Sequence, residues 1–177
     1  MSTSAATRRL APVVVVMGVS GVGKSTIAAE LAHRIRTQWL DADDLHPPEN
    51  VTKMASGMPL DDDDRGPWLD LVAGRLRVGA ETDGIVVACS ALRRRYRDRL
   101  RSAVQGVVFI HLTASPDMVA SRVRSRHGHF MPLALLDSQF ATLEPLEADE
   151  RGTTIDVARS VDGIVSDATD WVAGRAG

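Results

Sequence analysis

The stretch of sequence that decides the fold is Gly18-Val19-Ser20-Gly21-Val22-Gly23-Lys24-Ser25-Thr26. It has the spacing G-x-x-x-x-G-K-[ST], in which the glycines let successive backbone N–H groups point inward at phosphate oxygens. Lys24 can reach the β- and γ-phosphates of a nucleotide, and the hydroxyl of Ser25 can ligate Mg²⁺. The stretch therefore predicts a loop in which residues 18–26 bind ATP and Lys24 is a catalytic cation.

The residues on both sides of this loop support the interpretation. Residues 13–17 form a β-branched apolar run, as expected of a buried parallel strand. After the loop, Ile27, Leu31 and Ile35 recur at helical spacing. A strand, the loop and a helix in this order are typical of P-loop proteins, whereas a glycine-rich turn that matched by accident would have neither flank.

Length and composition indicate a single globular domain. The chain has 177 residues, 44% of them hydrophobic and 25% charged, and its formal net charge is −2. These values predict neither a nucleic acid nor a membrane as partner. The lone cysteine, Cys89, excludes an internal disulfide and is typical of a reducing compartment. We interpret residues 1–11 as a disordered tail, residues 12–177 as one domain and the protein as cytoplasmic.

Strand-like and helix-like segments alternate along the chain, which predicts an α/β fold whose parallel sheet is sandwiched by helices. The predicted strands are residues 13–17, 38–40, 85–89, 107–112 and 153–157. Ser115 and Pro116 predict the start of a helix after the fourth strand. Two long stretches, residues 45–79 and 122–147, interrupt the alternation. Since insertions at the carboxyl edge of such sheets usually carry function, we predict that the first binds the substrate and the second forms a lid.

An acidic cluster follows the second predicted strand, where the chain reads Leu40-Asp41-Ala42-Asp43-Asp44. The third strand ends without the aspartate expected of a Walker B strand. A carboxylate just after the second strand can hold Mg²⁺ through water or accept the proton of an attacking hydroxyl. We predict that Asp43 handles the hydroxyl and that Asp41 joins Ser25 at the Mg²⁺ site. The alternative is that one of the aspartates only caps the turn.

Further motifs follow in a fixed order between about residue 13 and residue 171. They are Asp41-Ala42-Asp43-Asp44-Leu45-His46-Pro47, Pro59-Leu60-x-Asp62-x-Asp64-Arg65-x-x-Trp68-Leu69, Cys89-Ser90-Ala91-Leu92-Arg93-Arg94-x-Tyr96-Arg97-Asp98, His127-Gly128-His129-Phe130 and Gln139-Phe140-x-x-Leu143-Glu144. This series resembles the bacterial-type gluconokinases, small P-loop kinases related to shikimate kinase. The resemblance implies transfer of the γ-phosphate of ATP to the 6-hydroxyl of D-gluconate, a five-stranded sheet, Mg²⁺ and a homodimer.

Gluconate carries a carboxylate and a row of hydroxyls, so its site needs a forked cation and several hydrogen-bonding side chains. Arg65 stands where the resemblance to shikimate kinases places a carboxylate-binding arginine. The other candidates for substrate contacts are polar side chains of the matching region, namely Asp43, His46, Lys53, Arg97 and His129. Apart from Asp43, any one of them could equally well be a solvated surface side chain.

Two arginines enter the predicted lid. Arg122 and Arg126 lie four residues apart, which places both on one face of a helix. The resemblance implies that a lid arginine neutralises charge on the transferring phosphoryl group, and Arg122 matches that position best. We therefore expect Arg122 to act in catalysis and both arginines to contact ATP, with adenine near residues 159–162.

Some alternatives stay open at this stage. A kinase for shikimate or another sugar acid would carry the same phosphate loop, whereas a nucleotide switch would need a D-x-x-G motif that the chain lacks after its third strand. Residues 92–101 contain six arginines, which indicate either RNA binding or a basic helix beside an anionic substrate. The acidic run at residues 61–64 is more typical of a helix cap than of a metal site. Cys89 is predicted to be a buried, unreactive thiol.

Overall fold

The computed structural model describes residues 11–125 and 133–174. Within these ranges the chain alternates strands and helices. The elements are β1 (Val13–Met17), α1 (Lys24–Ile35), β2 (Gln38–Asp41), a short 3-10 helix (Ala42–Leu45), α2 (Pro48–Ala55), α3 (Asp62–Glu81), β3 (Ile85–Ala88), α4 (Arg94–Ala103), β4 (Val108–Thr113), α5 (Pro116–Ser125), α6 (Leu133–Thr142), β5 (Gly152–Asp156) and α7 (Val161–Ala173). No helix in the described ranges has the length and apolar character needed to cross a membrane.

The strands form one sheet in the order β2-β3-β1-β4-β5, and every neighbouring pair is parallel. The α/β fold and the five predicted strands are confirmed, and each strand lies within one residue of its predicted bounds. Because all strands run in the same direction, their carboxyl ends meet at one edge of the sheet. Ligands of such folds bind at this edge, so the loops after β1, β2 and β3 are the place to look for a site.

Each face of the sheet has its own hydrophobic cluster. Val14 and Val16 of β1 pack with buried side chains of α1, α5 and α7. Val13, Val15 and Met17 face the other way and pack with buried side chains of α3 and α4. The period of two along the strand therefore divides the core into two helical layers, as expected when helices cover both faces of a parallel sheet.

The long stretch at residues 45–79 consists mostly of helix α3, which packs against the sheet. Trp68, Leu69, Val72 and Leu76 of this helix are buried in the core. The acidic run caps its start: the side chain of Asp61 accepts the N–H of Asp64, and the Asp64 carboxylate accepts the N–H of Asp61. Residues 62–79 thus belong to a core layer. The substrate-binding role predicted for residues 45–79 stays a prediction, and it concerns α2 and the first turns of α3, where Arg65 lies.

Candidate active site

The phosphate loop joins the carboxyl end of β1 to the amino end of α1. Gly18, Gly21 and Gly23 have φ angles of 143°, 80° and 107°, which residues that carry a Cβ rarely adopt. Two of them are also crowded: a Cβ on Gly18 would lie 2.6 Å from the carbonyl oxygen of Leu112, and one on Gly21 would lie 2.6 Å from Cγ2 of Val123. The loop can keep this conformation only with glycine, and its N–H groups and the start of α1 offer an anion site.

A cleft of about 310 Å³ opens beside the phosphate loop. Its walls come from the loop, from α5 and from the segment between β5 and α7, and include Gly21, Thr26, Ser125, Arg159 and Val161. Arg122 lines the same cleft and donates to the carbonyl oxygens of Val22, at 3.3 Å, and Val157, at 3.2 Å. A guanidinium has five N–H donors. Among the described residues Arg122 uses two of them, so others are available for phosphate oxygens.

Two predicted metal ligands lie in direct contact. The hydroxyl of Ser25, at the end of the phosphate loop, donates to Oδ2 of Asp41, at the end of β2. The other oxygen, Oδ1, accepts the backbone N–H of Asp43 at 3.0 Å, so Asp41 also caps the 3-10 helix. Hydroxyl and carboxylate oxygens suit Mg²⁺, which takes few ligands from the protein and completes its shell with water and phosphate.

Asp43 lies in the first turn of the 3-10 helix, and 73% of its side chain is exposed. Cys89 is the residue after β3, and burial together with the Asp43 charge raises the pKa of its thiol to about 12. The prediction that Cys89 is buried is confirmed. Asp43 and Asp44 are both exposed in this turn. Asp43 is the one whose backbone N–H binds Asp41, beside the Asp41–Ser25 contact.

His46 follows the same turn but is held inside it. Its ring stacks on Trp68 of α3 with 4.3 Å between centroids and 13° between planes, and its side chain is only 4% exposed. Burial lowers the pKa of His46, against the opposing effect of the Asp43 charge, so the ring is neutral at pH 7. Nδ1 lies 3.4 Å from Nδ2 of Asn50, and Nε2 lies 3.8 Å from Oδ1 of Asp43.

Arg65, near the start of α3, and Lys53, on α2, both lie close to the amino end of α3. Arg65 donates to the hydroxyl of Tyr96 at 3.2 Å, and its guanidinium carbon lies 5.5 Å from the centre of that ring. Lys53 reaches back from α2 to Asp64 at 2.5 Å and Asp61 at 3.2 Å. Lys53 is thus committed to the cap of α3. Arg65 makes one side-chain hydrogen bond among the described residues, to Tyr96, so that most of its donors have no partner there.

Arg97 does not lie in the site, and its predicted substrate role is corrected here. Its side chain is fully buried and binds both oxygens of Glu150, at 2.6 and 2.8 Å. The remaining donors of its guanidinium meet backbone carbonyl oxygens, which belong to Ala91, Leu92, Glu144 and Pro145. The sequence predicted an accessible side chain for Arg97, but the side chain points into the core. All of its donors are used there, so none is left for gluconate.

The neighbouring arginines of α4 form ion pairs on the surface. Arg94 pairs with Asp98, Glu147 and Asp149, while the other pairs are Arg95–Asp62, Arg99–Asp70 and Arg101–Asp98. These carboxylates neutralise the run, so it is not the open basic surface that RNA binding requires. In the described part of the chain, Arg93 is the member of the run whose side chain makes no hydrogen bond or ion pair, although its charge helps to lower the pKa of Asp62. It stands just after the loop that follows β3.

The structure also identifies a contact that sequence reasoning missed. Oε1 of Gln139, on α6, accepts the backbone N–H of Ser20 at 2.6 Å. Glu144, just after α6, accepts the backbone N–H of Arg94 at the start of α4. Gln139 and Glu144 both belong to the motif Gln139-Phe140-x-x-Leu143-Glu144, which is the feature of the sequence that could have indicated these contacts. Arg126 and His129 lie outside the described residues and stay predictions.

Comparisons with known proteins agree with this geometry. A family model described as an AAA domain matches residues 13–146. A thermoresistant gluconokinase from Escherichia coli (strain K12) is 41% identical over 160 residues, covering 89% of this chain and 91% of the relative. A gluconokinase from Gluconobacter oxydans (strain 621H) is 49% identical over 137 residues, covering 77% of each chain. The crystal structure of a gluconokinase from Sinorhizobium meliloti 1021 matches with a TM-score of 0.85 and 42% identity, covering 96% of this chain and 95% of the other.

Proposed function

This chain belongs to the gluconokinase family, and we propose that it transfers the γ-phosphate of ATP to the 6-hydroxyl of D-gluconate, giving 6-phospho-D-gluconate and ADP. The observation that carries the proposal is the contact between Ser25 and Asp41. It brings the end of the phosphate loop beside the acidic turn that holds Asp43. ATP bound in the loop would therefore present its γ-phosphate next to a carboxylate that can receive a proton.

The nucleotide half of the site acts by electrostatics and positioning. Lys24 now donates to the carbonyl oxygen of Val19 at 3.0 Å, which places its ammonium over the phosphate loop. Arg122 reaches the same loop from α5. The two cations would stabilise the charge that spreads over the equatorial oxygens of the transferring phosphoryl group. Adenine would occupy the cleft near Arg159 and Val161.

Mg²⁺ is part of the proposal because Ser25 and Asp41 offer oxygen ligands that fit it. When bound together with ATP, the ion would supply positive charge to the β- and γ-phosphates. The protein's contribution is to fix these two ligands. The backbone N–H of Asp43 holds one oxygen of Asp41, so the other oxygen keeps its direction toward Ser25.

The acceptor half of the site uses Asp43 and Arg65. The carboxylate of Asp43 orients the 6-hydroxyl and accepts its proton as the new O–P bond forms and the bond to ADP breaks. Arg65 binds the carboxylate at C1, at the far end of the substrate, and so positions gluconate without touching the reacting atoms. The support for this role is the place of Arg65 at the start of α3 and its remaining donors.

The deciding experiment measures ADP release with D-gluconate, other sugar acids, shikimate, glucose and nucleoside monophosphates as acceptors. We expect D-gluconate to stimulate turnover well above shikimate, glucose and the monophosphates, and Lys24→Ala to abolish the stimulation. The ³¹P signal of the product should couple to the two protons on C6. Equal stimulation by glucose would contradict the proposal that the site recognises the carboxylate of gluconate. A product phosphorylated at another position would contradict the 6-hydroxyl as acceptor.

Two further parts of the proposal concern the protein in solution. A homodimer is expected from the family resemblance, and light scattering coupled to size-exclusion chromatography would give its mass. A cytoplasmic location is supported by the free thiol of Cys89 and by the need for ATP. Fractionation of cells that express the full chain would test the location.

A further inference from the structure

We infer that His46 is a positioning residue that holds the carboxylate of Asp43 through its Nε2–H group and does not itself bind gluconate. The inference rests on the proposed function, in which Asp43 accepts the proton of the 6-hydroxyl. It replaces the substrate contact that the sequence predicted for His46. Three observations carry it: the burial of the ring, the partner of Nδ1 and the direction of Nε2.

The burial of His46 argues against a substrate contact. One face of the ring is covered by Trp68, at 4.3 Å between centroids, and 4% of the side chain is exposed. Trp68 is itself fixed, because its indole N–H donates to the carbonyl oxygen of Ala42 at 2.7 Å. A ring held in this way offers little surface to a polyhydroxylated ligand. It is instead a rigid support whose two nitrogens point in set directions.

The partner of Nδ1 determines which nitrogen carries the proton. Asn50 is 2% exposed, and its Nδ2 donates to the carbonyl oxygen of Asp64 at 2.9 Å. A carbonyl oxygen only accepts, so the amide must present its nitrogen on that side. The same nitrogen lies 3.4 Å from Nδ1 of His46, which must then be the acceptor. In the neutral ring the proton is therefore on Nε2.

The proton on Nε2 faces the carboxylate of Asp43. Nε2 lies 3.8 Å from Oδ1, which is longer than a hydrogen bond. The contact closes when the exposed carboxylate rotates as substrate binds, and catalytic hydrogen bonds are often long before the substrate arrives. With Oδ1 held by His46, Oδ2 is left to receive the proton of the 6-hydroxyl. His46 keeps its own proton throughout, so the acceptor remains Asp43.

The test compares His46→Gln with His46→Asn. The amide nitrogen of glutamine lies at the same bond distance from Cα as Nε2, whereas that of asparagine corresponds to Nδ1. Both variants lose the stack on Trp68, so both should lose thermal stability to a similar extent. Loss of orientation costs up to about 10²-fold in rate. We therefore expect kcat to fall by about 10- to 100-fold in His46→Asn and to recover most of that loss in His46→Gln, with KM for gluconate changed less than about twofold in both.

Three results would overturn the inference. Equal kcat in the two variants would make the ring a packing element, and a large rise in KM for gluconate would restore the substrate contact. The third comes from ¹⁵N NMR of the wild-type protein, in which the His46 ring is identified by its contacts with Trp68: a proton on Nδ1 would contradict the inference even if neither variant folds. Failure of the proposed function is a separate result, since wild-type protein would then not phosphorylate gluconate.

Discussion

The guanidinium of Arg97 and the carboxylate of Glu150 form an ion pair in which both side chains are completely buried, with Nε 2.6 Å from Oε1. Burial by itself would raise the pKa of Glu150, but hydrogen bonds from Arg97 and from the N–H of Glu147 outweigh this effect and lower it. The pair therefore stays charged. Because Arg97 also binds the carbonyl oxygen of Ala91, whose φ is 43°, it ties a left-handed turn after β3 to the segment before β5.

Replacing Arg97 by methionine should be strongly destabilising. The change leaves Glu150 buried without its partner, and losing one member of such a pair costs about 3–5 kcal/mol. Urea denaturation would measure the loss. Arg99→Met on the same helix is the matched control, because it breaks an exposed pair with Asp70 and should cost about 0–1 kcal/mol. A loss for Arg97→Met no larger than for this control would contradict the structural role.

Asparagine substitutions should separate the roles of the two aspartates. Asp43→Asn removes the proton acceptor, so kcat should fall by about 10²–10⁴ while the Mg²⁺ concentration for half-maximal rate hardly moves. Asp41→Asn should instead raise that Mg²⁺ concentration, because one ligand oxygen is lost. Asp44→Asn, in the same turn and exposed, is the control and should leave both quantities unchanged. The opposite pattern would exchange the roles, and no effect from either would leave both as turn caps.

Arg65→Ala should raise KM for gluconate and leave KM for ATP almost unchanged. Loss of a charge-assisted bidentate contact costs about 1.5–3 kcal/mol, or roughly 10- to 150-fold in kcat/KM. Arg65→Lys should recover only part of it, since an ammonium cannot fork. The control is Arg95→Ala, because Arg95 lies over the same Tyr96 ring at 5.6 Å but pairs with Asp62. Similar kinetics for the two alanine variants would assign the effect to packing on Tyr96.

The stability of the protein should depend on His111 at acidic pH. Burial, with a smaller effect of the Arg97 charge, lowers the pKa of His111 to about 4, and neither ring nitrogen has a partner among the described residues. As the pH falls, His111 is therefore protonated in the unfolded chain before it is protonated in the folded one. The free energy of unfolding should decrease between about pH 6.5 and pH 4. The loss should reach about 3 kcal/mol.

Denaturant unfolding between pH 4 and pH 7 would test this dependence. His111→Leu should remove this part of the pH dependence, because leucine neither titrates nor leaves a polar group unpaired. His33→Asn, which changes an exposed histidine of α1, should keep the wild-type slope. An unchanged slope in His111→Leu would show that His111 does not contribute.

The parts of the site that the sequence predicted are those with local signals. The phosphate loop was readable because its glycines, Lys24 and Ser25 follow one another, and the strands were readable from short apolar runs. The misplaced residue, Arg97, has its charged partner 53 residues away, and Gln139 meets Ser20 across 119 residues. Contacts between residues so far apart produce no periodic pattern in the sequence from which they could be predicted. From the sequence, every arginine of a basic helix is expected to be exposed to solvent. Only the packing of the folded chain shows that Arg97 is the buried one.

The separate hydrophobic clusters on the two faces of the sheet have an evolutionary consequence. The cleft beside the phosphate loop lies on the layer of α1, α5 and α7, whereas Arg65 and Trp68 belong to α3 of the other layer. Substitutions near Arg65 on the second layer therefore need not change any side chain that packs in the first. We expect that a protein with this architecture can change its phosphoryl acceptor through substitutions in the layer of α3 and α4. The residues around the phosphate loop can then stay the same.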